Sequence, residues 1–220
     1  MSVIDALSSR YSCRRFKPDA VPTDLIHKIL TAAQKTPSWC NTQPWDAHIV
    51  SGEALRTLSG KLEKEASAGA TPNPDFSFPE RYEGHYRDRR KVCGLQLYKS
   101  VGIEKGDAER TRDQALENFR FFSAPHAMFL TVPSELGVYG AVDCGLYVSS
   151  FMLVANELGV ATIAQAALAS YPDVVREALN IGKERYLVCG ISFGFEDTTH
   201  PINGYRTERE SIASVVKFIQ

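Results

Sequence analysis

Apolar residues recur at helical spacing after Pro22-Thr23-Asp24: Leu25, Ile26, Ile29, Leu30, Ala32 and Ala33 share one side, and the pattern stops before Pro37. Ahead of them, Ser2-Val-Ile-Asp5 has the spacing of a capping box and predicts a short helix ending near Ser9. Asp46 to Val50 predicts a strand, and Ser51 starts a helix running to about Ala68. Pro72, Pro74 and Pro79 make residues 69–80 a loop. A charged helix follows from Glu80 to Ser100, with Tyr82, His85, Tyr86, Val92, Leu95 and Leu97 as its less polar side, and Asp107 caps another helix through Phe122. Ala127 to Val132 reads as a strand closed by Pro133. Val138 to Leu158 is the most apolar helix; apolar residues nearly surround it, which implies deep burial or a subunit interface. Gly159 supplies its stop. Val160 to Ala164 is a short strand, Gln165 to Ala169 a turn of small residues, and Tyr171-Pro172-Asp173 opens a helix to Leu179. Tyr186 to Phe195 is apolar almost without a break, as a strand buried on both faces would be. Many helices with few strands favour an α+β fold with one sheet between helical layers. The chain has no internal repeat or linker, so residues 1–220 read as one domain. The more polar stretch at about 69–122 reads as a helical excursion over a pocket mouth, with a second small domain as the alternative.

Charge changes this picture only locally. The chain carries 25 basic and 26 acidic residues, which argues against a general nucleic-acid or membrane-surface protein, so any basic site must be confined to one place. The five cysteines are scattered without metal-ligand spacing and read as free thiols in a reducing compartment. The N-terminus lacks a signal pattern, and no apolar run approaches membrane-spanning length; the expectation is a cytoplasmic protein.

The local concentration of charge is Ser8 to Lys17, where Arg10, Arg14, Arg15 and Lys17 occur with no acid. In an extended segment Arg10, Ser12 and Arg14 share a face, a row of guanidinium, hydroxyl and guanidinium donors suited to phosphate oxygens; Cys13 falls on the opposite face. A solvated basic turn is the competing reading. The loop Pro37-Ser-Trp-Cys-Asn-Thr-Gln-Pro-Trp45 brackets Ser38, Asn41, Thr42 and Gln43 between prolines and holds both tryptophans of the chain. It reads either as a structural plug or as a wall that hydrogen-bonds a flat polar ligand. Gly190-Ile-Ser-Phe-Gly194 matches the elbow of serine hydrolases, but it lies inside an apolar strand with no prompt helix after it, so close strand packing is the stronger reading. The five histidines show no metal spacing, and no metal is expected. A glycine-rich phosphate loop is absent, so any nucleotide phosphate must be held by side chains.

Together these stretches resemble the FMN-dependent nitroreductase family. Arg10-Tyr-Ser-Cys-Arg-Arg-Phe16, the Pro37–Trp45 loop, Asp143-x-Gly145 with the long apolar helix and the Gln165-Ala166 turn, and Asn203-x-x-Arg206-Thr-x-Arg209 are similar to four family motifs, in the same order. The resemblance implies an α+β nitroreductase-like fold, a central, mostly antiparallel sheet flanked by helices, in an intertwined homodimer with flavin sites at the interface. It implies that Arg10, Ser12 and Arg209 hold the FMN phosphate with Arg206 nearby, and that Arg14 sits by the ribityl chain and the N1–O2 edge. Ser38, Asn41 and Gln43 would approach the flavin of the other subunit, and backbone N–H groups around Gln165 and Ala166 would face N5. Tyr11, Pro37, Trp39 and Ala164 are placed at the cofactor in the same way. Ser149 departs from the glutamine many relatives carry, which changes the local flavin environment.

The function so implied is transfer of hydride from NADPH or NADH through flavin N5 to an electron-poor acceptor, a nitroaromatic or a quinone, by a ping-pong mechanism. The flavin carries the chemistry, so no catalytic side chain is expected. Tyr82, Tyr86, Phe121 and Phe122 are candidate substrate-stacking residues, with core packing as the alternative. Reductive dehalogenation or substrate dehydrogenation on the same scaffold, or a non-catalytic flavin binder, are the rival functions.

Overall fold

In the computed structural model, which describes residues 2–220, strand β2 (His126–Pro133) is buried on both faces, and the molecule is layered around it. It pairs antiparallel with β1 (Asp46–Ser51) and with β4 (Arg185–Gly194). Antiparallel β3 (Ala161–Gln165) completes the sheet order β1-β2-β4-β3. A parallel bridge from Ser12 to Thr162 adds the basic segment to the free edge of β3. The sheet is thus mostly antiparallel, as expected.

Side-chain alternation along β2 supplies two cores. Phe129 faces Leu55, Leu58 and Leu62 of α3 (Gly52–Ser67) and Val175 of α7 (Pro172–Leu179). Met128, Leu130 and Val132 face Ile26 and Ile29 of α2 (Thr23–Ala33) and Tyr147 and Phe151 of α6 (Gly137–Glu157). Burial on both faces explains why β2 and β4 are apolar almost throughout. Gly190 and Gly194 serve close packing in β4. A Cβ at Gly190 would come 2.4 Å from Leu168 Cδ1, and one at Gly194 would come 2.6 Å from Pro125 Cδ.

The capping box forms at α1 (Val3–Ser9): Asp5 N–H donates to Ser2 Oγ at 3.1 Å, and Ser2 N–H donates to the Asp5 carboxylate at 3.0 Å. Two helix boundaries differ from expectation. α4 (Gly84–Ser100) begins at Gly84, not Glu80, because the chain enters it through a positive φ of 51° that glycine tolerates. None of its residues is buried, so the expected less polar side packs against no core. α5 (Ala108–Leu116) is capped by Asp107 as expected, but ends well before Phe122. Phe121, Phe122 and Ser123 instead take φ of 54°, 53° and 64°, a left-handed turn that swings both rings into the core.

The expectation about apolar runs also needs correction. Within Ser134–Glu157 an 18-residue window averages a hydropathy of 1.5, and the segment is long and apolar enough, by length and composition alone, to cross a membrane. Gly137, Gly140, Asp143 and Gly145 interrupt any continuous apolar run, which is why the run is not seen residue by residue. In the fold this helix packs on α1, α2, β2 and β3.

Candidate active site

Segment 10–14 runs alongside β3. Cys13 N–H donates to the Thr162 carbonyl at 3.0 Å, and Cys13 is fully buried, while Arg10, Ser12 and Arg14 stay partly exposed. The period-two reading therefore places the three donors on one side of an extended strand. They form a track more than a single cradle, since four residues of extended chain separate Arg10 from Arg14 by roughly 13 Å. Arg10 opens into a cavity of about 150 Å³ with Tyr11, Asn156, Gly159 and Thr162. Arg14 opens into a second, of about 290 Å³, with Ala164, Gln165 and Ala166.

The C-terminal motif closes on this track. Asn203 is buried; its Oδ1 accepts from Arg14 N–H at 2.8 Å, and its Nδ2 donates to the carbonyls of Arg15 at 2.8 Å and Asp197 at 3.0 Å. Arg206 donates to the Asn203 carbonyl at 2.7 Å and stacks with its guanidinium carbon 3.4 Å from the centre of the Tyr11 ring. Burial and then the nearby Arg209 charge lower the pKa of Arg10. Burial, then Glu196, raise that of Tyr11. Among the described residues none of Arg10, Arg14, Arg206 and Arg209 is ion-paired to a carboxylate, and Arg10 Nε is a buried donor without a hydrogen-bond partner. Glu196 lines the Arg10 cavity without pairing to Arg10, and guanidinium groups gathered without a direct ion-pair partner are an arrangement an anion would stabilise.

Around the larger cavity, strand alternation leaves Ala164 and Ala166 exposed and turns Gln165 inward. The methyl side chains permit close approach to the backbone. Asn118, Gln114 and Tyr98 form the opposite wall. These three were not singled out from sequence. Gln114 and Asn118 are four apart, a helical spacing, but the polar composition of α5 hides which face is turned inward.

The 37–43 loop lies elsewhere in the same chain. Trp39 N–H donates to both carboxylate oxygens of the buried Asp143, at 3.1 and 3.3 Å, and the Trp39 ring meets Tyr139 edge-on at 4.7 Å. Gln43 N–H donates to Ser38 Oγ at 2.9 Å. Cys40, Asn41 and Gln43 hold positive φ of 50°, 56° and 46°. Pro37, Asn41 and Gln43 are exposed. Along α6, Asp143 is about 20 Å from Asn156, which borders the Arg10 cavity. One chain therefore does not bring Pro37, Ser38, Trp39, Asn41 and Gln43 to the arginine track.

The aromatic candidates separate. Phe121 packs edge-on against Phe129 in the core at 1% exposure; it is a core residue and not a stacking surface. Phe122 is 2% exposed, and only its margin borders the 290 Å³ cavity. Tyr82 and Tyr86 are exposed by α4, covered by Arg90 and Arg89 at 5.2 and 5.9 Å, and neither lines that cavity. Ser192, the serine of the elbow-like motif, is buried inside β4 with its Oγ donated to Gln165 Oε1, which removes the hydrolase reading.

A model of the nitroreductase family matches residues 7–195. The chain belongs to the nitroreductase family. Within it, the chain is 34% identical over 215 residues to nitroreductase NfnB of Mycolicibacterium smegmatis, covering 96% of this chain and 90% of that one. It is 33% identical over 217 residues to a 4-nitrobenzoate reductase of Pseudomonas putida, covering 97% and 93%. The crystal structure of the FMN-dependent NfnB from Mycobacterium smegmatis in complex with NADPH superposes with a TM-score of 0.93, at 32% identity and full coverage of both chains.

Proposed function

We propose that this protein is an FMN-dependent oxidoreductase that takes hydride from NADPH or NADH and passes it to a nitroaromatic acceptor, or to a quinone, in a ping-pong cycle. The observation that carries the reading is the arginine track free of direct ion pairs, running along β3 to the Ala164–Ala166 turn, in a chain of this family. Its residues fit FMN: the unpartnered Arg10 Nε and nearby Arg209 suit a phosphate, and the alanine turn leaves room for a planar ring. FMN, when bound, supplies the hydride-carrying centre.

The chain's own residues bind and tune. Arg10, Ser12 and Arg209 hold the phosphate, with Arg206 stacked on Tyr11 beside them. Arg14, its backbone locked by Asn203, holds a fixed cation toward the ring's N1–O2 edge, where reduction places negative charge. Ala164 and Ala166 leave the backbone around Gln165 open toward N5. Residues 1–220 act as one domain, with 69–122 over the site, and Tyr82 and Tyr86 stand at its outer margin.

A homodimer completes the site. Val138, Tyr139, Val142 and Leu146 expose apolar surface along α6, as do Val3, Ile4 and Leu7 on α1. Pairing two copies through these faces covers the apolar surface and carries Pro37, Ser38, Trp39, Asn41 and Gln43 to the partner's flavin. Ser149, exposed on the same helix, faces this interface. The five cysteines are free, which supports a cytoplasmic location.

The test is flavin binding followed by anaerobic NADPH. Flavin absorbance that bleaches on addition supports the reading; a protein that binds no FMN overturns it. Arg10→Ala and Arg209→Ala should each lose about 1.5–3 kcal/mol of FMN affinity by removing a charge-assisted contact, with riboflavin affinity unchanged. FMN affinity equal to wild type in both variants would remove the phosphate assignment.

A further inference from the structure

The elbow-like motif leaves a serine with work other than hydrolysis. Ser192 is 0% exposed in β4, and its Oγ donates to Gln165 Oε1 at 2.5 Å. Gln165, 3% exposed at the end of β3, turns the other end of its amide outward: Nε2 donates to the Asn118 carbonyl at 3.0 Å and lies 3.3 Å from Asn118 Oδ1. The chain Ser192, Gln165, Asn118 thus links β4, β3 and the exit of α5. It spans the two walls of the 290 Å³ cavity, since Asn118 stands on one side and Ala164 to Ala166 on the other.

A buried hydroxyl and a buried amide are costly unless each polar atom is partnered. Within this chain the direction is set. Oε1 accepts from the serine, so Nε2 must face Asn118. Removing the serine hydroxyl leaves Oε1 without its donor and the amide without its anchor on β4. Nε2 keeps facing the two Asn118 oxygens, but its distance to them is no longer fixed from β4; the Asn118 carbonyl also accepts from Phe121 N–H at 3.3 Å, at the entry to the 121–123 turn.

We propose that Ser192 is a positioning residue: through Gln165 it sets the gap between Asn118 and the Ala164–Ala166 turn, and so the seat of a planar ring between them. The inference rests on the FMN reading above. It concerns the ring and not the phosphate, because Arg10 and Arg209 take no part in the hydrogen-bonded chain.

The experiment compares Ser192→Ala, Gln165→Met and the double variant with wild type, reading FMN and riboflavin affinity, the potential of the bound flavin and the thermal midpoint. Losing one buried hydrogen bond should weaken FMN and riboflavin alike by about tenfold in each single variant. The double variant should bind no more weakly than Gln165→Met, because the two residues act as one unit. The potential should shift in both single variants, and Ser192→Cys, which keeps a weak donor, should fall between wild type and Ser192→Ala. A Ser192→Ala protein with wild-type affinities and potential, changed only in thermal midpoint, would overturn the inference, as would single effects that multiply in the double variant. If wild type binds neither flavin, the functional reading falls and this inference with it. If wild type binds FMN and Ser192→Ala binds it equally well, only the inference falls.

Discussion

His126 shows how one residue carries a pH dependence into the fold. It is buried and stacked on Phe193, its Nε2 accepts from Val21 N–H at 2.9 Å, and its Nδ1 lies 2.5 Å from Ser51 Oγ. An accepting Nε2 puts the proton on Nδ1, so the folded ring is neutral, and burial lowers its pKa below the usual 6.5. His48 is shifted the same way by burial. Their contribution to stability is complete above pH 6.5. It is lost as pH falls through 6.5 toward the folded pKa, because the unfolded chain takes up a proton that the folded one refuses. Urea titrations at pH 8 and pH 5 should show this loss, and His126→Gln should flatten it. Asn203 is the second such residue. Asn203→Ala strips partners from Arg14 N–H and from the carbonyls of Arg15 and Asp197 at once, and should cost about 3 kcal/mol or more in chemical denaturation. Arg14 was legible from sequence as a cation on a track. That its position depends on an asparagine 189 residues away was not, because only the folded chain puts them within 2.8 Å.

Among the elements, two connecting turns carry the strain. The 40–43 loop and the 121–123 turn hold non-glycine residues at positive φ, and the second borders the 290 Å³ cavity through Phe122. The left-handed region costs an ordinary residue about 1–2 kcal/mol. At exposed Ser123, glycine relieves that cost and returns part of it as unfolded-chain entropy, so Ser123→Gly should be slightly stabilising. Ser123→Val should lower stability by about 1–2 kcal/mol, a difference a denaturation midpoint resolves. The entry to the 69–122 excursion is tied down by a largely buried pair: Arg176 donates to Asp75 Oδ2 at 2.5 Å, and Leu187 N–H donates to the same oxygen at 2.7 Å. Arg176→Met leaves that carboxylate without its cation and should cost about 3–5 kcal/mol. The starts of α1 and α5 were readable because caps are local: Ser2, Asp5 and Asp107 act as expected. The start of α4 and the end of α5 were misplaced because a positive φ at Gly84 and the burial of two phenylalanines outweigh helical propensity.

For the whole molecule, the proposed site draws on both ends of α6. The arginine track lies by the C-terminal end of this helix and the 37–43 loop by its N-terminal half, about 20 Å away. The proposed two-fold pairing of copies would bring the two ends together. Leu146→Glu places a charge on the exposed apolar face of α6 and should yield monomers in sedimentation. Flavin affinity should fall with the dimer, while Arg10→Ala should weaken FMN without changing the assembly. A Leu146→Glu protein that remains dimeric would remove α6 from the interface.

The sequence by itself determined what depends on near neighbours: the strand β2, the two-sided burial of β4, the caps of α1 and α5, the placement of Cys13 opposite Arg10, Ser12 and Arg14, and four motifs whose order resembles one family. Each follows from periodicity or capping over a few residues. Tertiary structure decided what depends on distant ones. It turned Phe121 into the core, showed that the arginines form a track and not a cradle, kept the 37–43 loop away from that track in one chain, and gave Ser192 a partner in Gln165. Those outcomes turn on which side chains meet across layers, and spacing along a chain carries no record of that until packing brings them within hydrogen-bonding distance.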